Sequence, residues 1–227
     1  RRHTRFKCDW SSDVCSSDLM VLDQQRGHWD RRPQPVLAGK TIVMLGVGAI
    51  AEALAKRCKA FDMHVIGVSA TPRAIEHFDR VMPRSELKAA AALADFFVAI
   101  IPLSPETQNI VDADVIAAMK PSAFLINVAR GGVCDENAIL AAVREKRIAG
   151  AGLDVFVTRP LPPDSPLWKT PGITITPHVG GLSTTYLEQS VPLAAANLRQ
   201  FLAGNIKGMS NIISQDRKST RLNSSHT

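Results

Sequence analysis

Apolar residues in this chain fall into short β-branched runs separated by stretches with helical spacing. Thr41 to Leu45 (TIVML) is the first such run, bounded by Gly39-Lys40 before it and Gly46 after it, and it predicts a strand. The same pattern predicts strands over 64–68, 96–101, 123–128, 150–155 and 173–176. Between them, helical periodicity covers the Ala/Leu-rich stretch up to Phe61, Ser85 to Leu93, Asp112 to Met119 and Asp135 to Glu145. A last, longer helix is expected over Ser183 to Ala203. Strands this short and this uniformly apolar, alternating with helices, indicate a parallel sheet covered on both faces.

The turn after the first strand carries the first chemistry. Gly46 permits a sharp reversal, Gly48 lets the backbone approach a pyrophosphate, and small Ala51 allows helix to pack closely on strand. The helix that opens at Ala49 and Ile50 then offers amide N–H groups and a positive dipole end to phosphate. A GxGxxA turn placed between strand and helix predicts an α/β doubly wound, Rossmann-type parallel sheet that binds a dinucleotide. At the end of the second strand, the acidic residue that would bond the ribose hydroxyls is missing, and the segment reads Val68-Ser69-Ala70-Thr71-Pro72-Arg73. Ser69 and Thr71 can donate hydrogen bonds and Arg73 can neutralise a phosphate, so NADP is expected over NAD. The plainer reading of Arg73 is a solvated side chain after a turn proline.

Composition changes the picture mainly at the ends. The 227 residues are 45% hydrophobic and 21% charged, with a formal net charge of +6. Residues 8–19 (CDWSSDVCSSDL) and 216–227 (DRKSTRLNSSHT) have no hydrophobic period, and one DNA segment translated in opposite orientations encodes both. That segment resembles a short-read sequencing adapter, so 1–19 and 216–227 are read as non-native. They carry seven of the 27 basic and four of the 21 acidic residues, leaving 20 against 17, and the case for a nucleic-acid partner goes with them. Within the remainder, 20–182 is expected to be the dinucleotide-binding domain and 183–215 a C-terminal helix and tail. Cys58 and Cys134 fit small apolar core positions, no metal-ligand spacing is present, and no metal is expected. No run approaches the roughly 18 apolar residues of a spanning helix, and no apolar stretch follows the basic start, so a soluble, cytoplasmic protein is expected.

From Trp29 to about Ile213 the chain resembles the D-isomer-specific 2-hydroxyacid dehydrogenase family. The motifs that carry the resemblance begin with GVGAIA at 46–51, PLSPET at 102–107, and MKP at 119–121 running to INVARGG at 126–132. They continue with AGLDVF at 151–156, PDSPLW at 163–168 and TPHVGG at 176–181. The resemblance implies hydride transfer between NAD(P)H and C2 of a small 2-oxo or 2-hydroxy acid such as glyoxylate or hydroxypyruvate. It also implies a homodimer through the dinucleotide-binding domain, no nucleic acid and no membrane. The family carries most of a substrate-binding domain ahead of this region, so a largely missing substrate domain is expected, to which the C-terminal helix would belong.

The resemblance assigns roles residue by residue. Arg130 matches the arginine that clamps the substrate carboxylate and polarises the 2-oxo group, and His178 matches the acid/base that protonates the carbonyl oxygen. Asp154 matches the residue facing the nicotinamide amide, while Pro102, Thr107, Val128, Ala129 and Gly180 line the cofactor. Asn127 and Gly131 are expected to shape the loop around Arg130. One position departs from the pattern: where the family has a glutamate that bonds the histidine and keeps it protonated, this chain has Arg159. A cation beside an imidazole favours the neutral ring, which cannot donate a proton. Arg159 therefore keeps open an alternative, a cofactor-binding corepressor or scaffold with an impaired catalytic site.

Overall fold

The computed structural model describes residues 23–29, 31 and 35–210, and the readings on 1–19 and 216–227 lie outside them. Contacts divide the chain into two compact units that meet in sequence at Pro177 and His178.

The first unit holds seven strands: β1 Thr41–Leu45, β2 His64–Ser69, β3 Arg80–Pro83, β4 Phe96–Ala99, β5 Phe124–Asn127, β6 Gly150–Leu153 and β7 Ile173–Ile175. Helices α1 Ala49–Lys59, α2 Leu87–Leu93, α3 Ala113–Ala117 and α4 Glu136–Arg144 supply crossovers. The strands form one sheet in the order β3-β2-β1-β4-β5-β6-β7. All six pairings are parallel. Chain direction across the sheet reverses between β1 and β4, the switch point where such sheets open a crevice at their carboxyl ends.

Alternation along β1 shows why the sheet is covered twice. Val43 and Leu45 join a buried cluster with Phe97, Leu125 and Ile139. Ile42 and Met44 join a second cluster with Ala51, Ala55, Val65 and Val98. Each such side chain contributes about 1.5–3 kcal/mol by leaving water, so the two faces hold the strands in register. That register places Leu45 beside Val68 and Ala99, and Asn127 beside Ala99 and Leu153. The segments leaving β1, β2, β4, β5 and β6 therefore emerge along one edge. At the opposite edge Asp95 fastens three strands: Thr41 N donates to its Oδ2 at 2.8 Å, Phe124 N to its carbonyl at 3.0 Å, and Lys120 Nζ lies 3.1 Å from Oδ1. Burial pushes the Asp95 carboxyl up, but the Thr41 amide and Lys120 outweigh it and hold the group below the usual carboxylate range.

All six predicted strands are present, several trimmed at their carboxyl ends where the chain turns over the sheet edge. The addition is β3, RVMP, which the apolar-run pattern does not predict because the segment carries an arginine and a proline. It lies at the sheet edge, where a missing proline N–H leaves no ladder bond unmade.

In the second unit, α5 Tyr186–Leu202 shortens the predicted helix by three residues at its start and one at its end and contains Pro192. It buries no residue, and Leu187, Val191, Leu198, Phe201 and Leu202 are exposed. Asn197 pairs with Ser210 through bonds of 2.9 and 2.8 Å, which fixes the chain after the helix.

Candidate active site

The β1–α1 turn is built around two glycines with different duties. Gly46 has φ of +108°, and a Cβ there would run into the carbonyl of Ile100, whose carbon would lie at 2.9 Å. Only glycine can hold this turn against the backbone leaving β4. Gly48 is the N-cap of α1 with no side-chain cap, and a Cβ on it would meet nothing within 4 Å. Gly48, Ala49 and Ile50 are exposed while Ala51 is completely buried. The turn thus presents a bare, open cradle of backbone at a helix N-terminus, the surface a pyrophosphate requires.

At the end of β2, Ser69 Oγ accepts a hydrogen bond from Thr71 N at 3.2 Å, which shapes the loop. Arg73 extends into solvent with its side chain 61% exposed and its Nη2 3.9 Å from Glu52 Oε1. So loose and exposed a pair contributes little, and the guanidinium remains available to an anion.

The loop after β4 is organised by Thr107. Its hydroxyl donates to Pro102 O at 2.8 Å and accepts from Ser104 N at 2.7 Å, and the residue is buried. Thr107 therefore holds the Pro102–Ser104 wall in shape from within. Leu103 on that wall and Val128 after β5 are exposed apolar residues.

Arg130 sits on a loop that its neighbours pin from several sides. Buried Asn127 accepts from Ala129 N at 3.1 Å and donates to Arg130 O at 3.2 Å. The half-buried Arg130 side chain donates from Nη1 to Ala129 O at 2.7 Å. Gly131 packs directly on backbone, since a Cβ would overlap Phe156 C and O. The sequence showed no sign of a further tie: Glu136 Oε1 accepts from Val157 N at 2.6 Å, joining the start of α4 to the segment after β6. No spacing rule announces it, because the two residues are 21 apart in the chain.

Asp154, at the end of β6, is buried and accepts a short hydrogen bond from Thr176 Oγ1. Arg159 is exposed in the segment that follows. The first unit thus gathers the β1–α1 turn, Ser69 to Arg73, Pro102 to Thr107, Val128 to Arg130 and Asp154 along one sheet edge. His178 and Gly180 belong to the second unit. His178 is half-buried with φ of +57°, a left-handed conformation that non-glycine residues adopt at a cost of about 1–3 kcal/mol, often where function fixes the backbone.

Burial pushes both Cys58 and Cys134 thiols up, which makes them inert packing groups. Among the described residues no group of three His, Cys, Asp or Glu side chains could hold a metal ion. No helix among them is long and apolar enough to cross a membrane.

A family model described as "D-isomer specific 2-hydroxyacid dehydrogenase, NAD binding domain" matches residues 18–180. The chain belongs to that family. A glyoxylate reductase of Pyrococcus horikoshii is 40% identical over 171 residues, which are 74% of this chain and 50% of that protein. A crystal structure of a D-isomer specific 2-hydroxyacid dehydrogenase family protein from Aeromonas salmonicida superposes with a TM-score of 0.82 at 33% identity, covering 88% of this chain and 63% of that one. A D-isomer specific 2-hydroxyacid dehydrogenase from Xanthobacter autotrophicus, crystallised with NADPH and MES, superposes at 0.75 with 32% identity, covering 86% and 79%. The chain spans about half the length of the curated family members it matches. The open Gly48 cradle and the crowded Gly46 turn fit the dinucleotide that gives the family domain its name.

Proposed function

We propose that this chain is the cofactor-binding part of an NAD(P)-dependent oxidoreductase acting on a small 2-oxo or 2-hydroxy acid, with glyoxylate and hydroxypyruvate as representative substrates. The cofactor, when bound, supplies the hydride at nicotinamide C4. The observation that carries the reading is the sheet edge itself, where a bare helix N-terminus, an apolar wall and a pinned arginine follow successive strands.

Arg130 orients the substrate: its planar fork suits a carboxylate, and the Asn127 and Gly131 contacts hold its loop still. His178 passes the proton to and from the substrate oxygen. Asp154 would bond the carboxamide of the cofactor, and Gly46 to Ile50 would hold its pyrophosphate. Pro102, Thr107, Val128, Ala129 and Gly180 form or support the surrounding wall. Ser69, Thr71 and Arg73 receive the ribose end, and the absence of a carboxylate between 69 and 73 favours NADP over NAD.

The protein works as a homodimer through this domain, in the cytoplasm; family likeness supports the first, and the free thiols of Cys58 and Cys134 agree with the second. Residues 20–182 then form the dinucleotide-binding domain and 183–215 the return toward a substrate domain. Arg159, in place of the family's glutamate, supports a second reading as a cofactor-binding corepressor or scaffold.

Steady-state turnover of glyoxylate and hydroxypyruvate by the complete gene product, in parent, Arg130→Lys and His178→Ala forms, decides between the two. The dehydrogenase reading expects turnover that falls by roughly 10²-fold or more in each variant. Cofactor binding without turnover by the parent supports the corepressor reading instead.

A further inference from the structure

The edge strand β3 brings a residue to the cofactor side that the β2 loop alone does not suggest. Ser69 pairs with Pro83 across β2 and β3, so Arg84 is the first residue beyond the ladder and leaves the carboxyl end of β3 as Ala70 leaves that of β2. Arg84 is half-buried at the start of the short 3-10 turn Arg84–Glu86. Its Nε is the one buried side-chain nitrogen or oxygen among the described residues that lacks a hydrogen-bond partner. Among the described residues Arg84 also has no ion-pair partner.

A guanidinium is always charged, and the Arg84 Nη groups, which unlike the sealed Nε reach the surface, have no hydrogen-bond or ion-pair partner among the described residues and are left to an anion. The Arg84 charge also reaches the loop after β4. Glu106 is held below the usual carboxylate range first by the Ser104 hydroxyl, at 2.7 Å, with a smaller contribution from Arg84. The Arg84 charge is thus felt along the carboxyl edge, between the β3 turn and the Pro102–Thr107 wall.

We propose that Arg84 is a second specificity-determining cation for the 2′-phosphate of NADP, acting with Arg73 from the neighbouring strand. Arg73 is an exposed side chain and Arg84 a half-buried one, for which lower screening strengthens the pull on a phosphate. The pair would explain how a segment with only one arginine after β2 selects a phosphorylated ribose. This inference rests on the dinucleotide reading above and assigns it a selectivity residue outside the β1–α1 and β2 motifs.

The test is calorimetric titration of this chain and of Arg84→Gln with NADP, NAD, 2′,5′-ADP and 5′-AMP. Arg84→Gln keeps the stem and a donor at the Nε position but removes the charge and the Nη groups. It should weaken NADP and 2′,5′-ADP at least tenfold while NAD and 5′-AMP change less than twofold. Arg84→Lys, which keeps the charge without the fork, should fall between, and it serves as the test if the glutamine variant does not fold. Equal weakening of phosphorylated and unphosphorylated ligands, or no change in any, overturns the proposal. A parent chain that binds none of the four refutes the dinucleotide reading itself, whereas a parent that binds NADP and a glutamine variant that binds it equally refutes only the role of Arg84.

Discussion

Alanine at Gly46 and alanine at Gly48 should fail in opposite ways, although the two glycines are two residues apart in one turn. At Gly46 the new side chain meets both a φ of +108°, worth roughly 1–3 kcal/mol of strain, and overlap with the Ile100 carbonyl, worth about 1–3 kcal/mol more. A combined loss of roughly 2–6 kcal/mol lowers the Tm of a domain of this size by about 4–24 °C. At Gly48 a Cβ meets nothing within 4 Å and the φ of −83° suits any residue. The poorer N-cap that alanine makes costs a few tenths of a kcal/mol, and the stiffer unfolded chain returns a similar amount, so stability should change by less than about 0.5 kcal/mol. The same Cβ would stand where phosphate oxygens approach the amides. Losing one charged hydrogen bond of about 1.5–3 kcal/mol weakens NADP and NAD alike by roughly 10- to 100-fold. Thermal unfolding by circular dichroism, paired with cofactor titration, reads both quantities. A Gly48→Ala chain that binds cofactor as the parent does, or that loses several degrees of Tm, would refute the division of labour.

Three further outcomes are expected. Ser69→Asp places a carboxylate at the ribose end, so titration should show NADP weakened at least tenfold and NAD held or improved; an initial NAD preference in the parent would count against the argument. The Asp95 carboxyl is held down in the folded state, so its stabilisation is present above the unfolded value near pH 4 and is lost as pH falls through the lower folded value. Asp95→Asn should therefore cost about 1 kcal/mol at neutral pH and flatten the acid-unfolding profile below about pH 4, as read by chemical denaturation across pH. In a protein with a complete substrate domain, Arg159→Glu should raise glyoxylate turnover by roughly 10²-fold and move the basic limb of the rate profile to higher pH, a gain that His178→Ala abolishes; an unchanged rate and profile would show that Arg159 does not act on His178.

Much of the fold is legible because the strands are buried on both faces and read as uninterrupted apolar runs. The β1–α1 turn is legible because its two glycines answer to distinct steric demands, which the crowding at Gly46 and the open space at Gly48 display separately. What escapes the sequence is nonlocal. Strand β3 is stabilised by pairing with β2, which overrides the poor strand propensity of Arg80 and Pro83. Glu136 reaches Val157 only because Gly131 lets two loops touch backbone to backbone. Arg84 gains meaning only from the register that sets Pro83 beside Ser69. Thr107 shows the converse, since a residue expected against the cofactor has its hydroxyl engaged inside its own loop.

Isotope tracing tests the central claim most directly. The complete gene product is given NADPH carrying deuterium at nicotinamide C4, in separate preparations of the two faces, with glyoxylate or hydroxypyruvate as acceptor. The account predicts deuterium at C2 of the hydroxy acid product from one face only, with no wash-out into solvent, and loss of that transfer in Arg130→Lys and His178→Ala. Product whose C2 hydrogen comes from water, or no product from a parent that binds NADPH tightly, would contradict it.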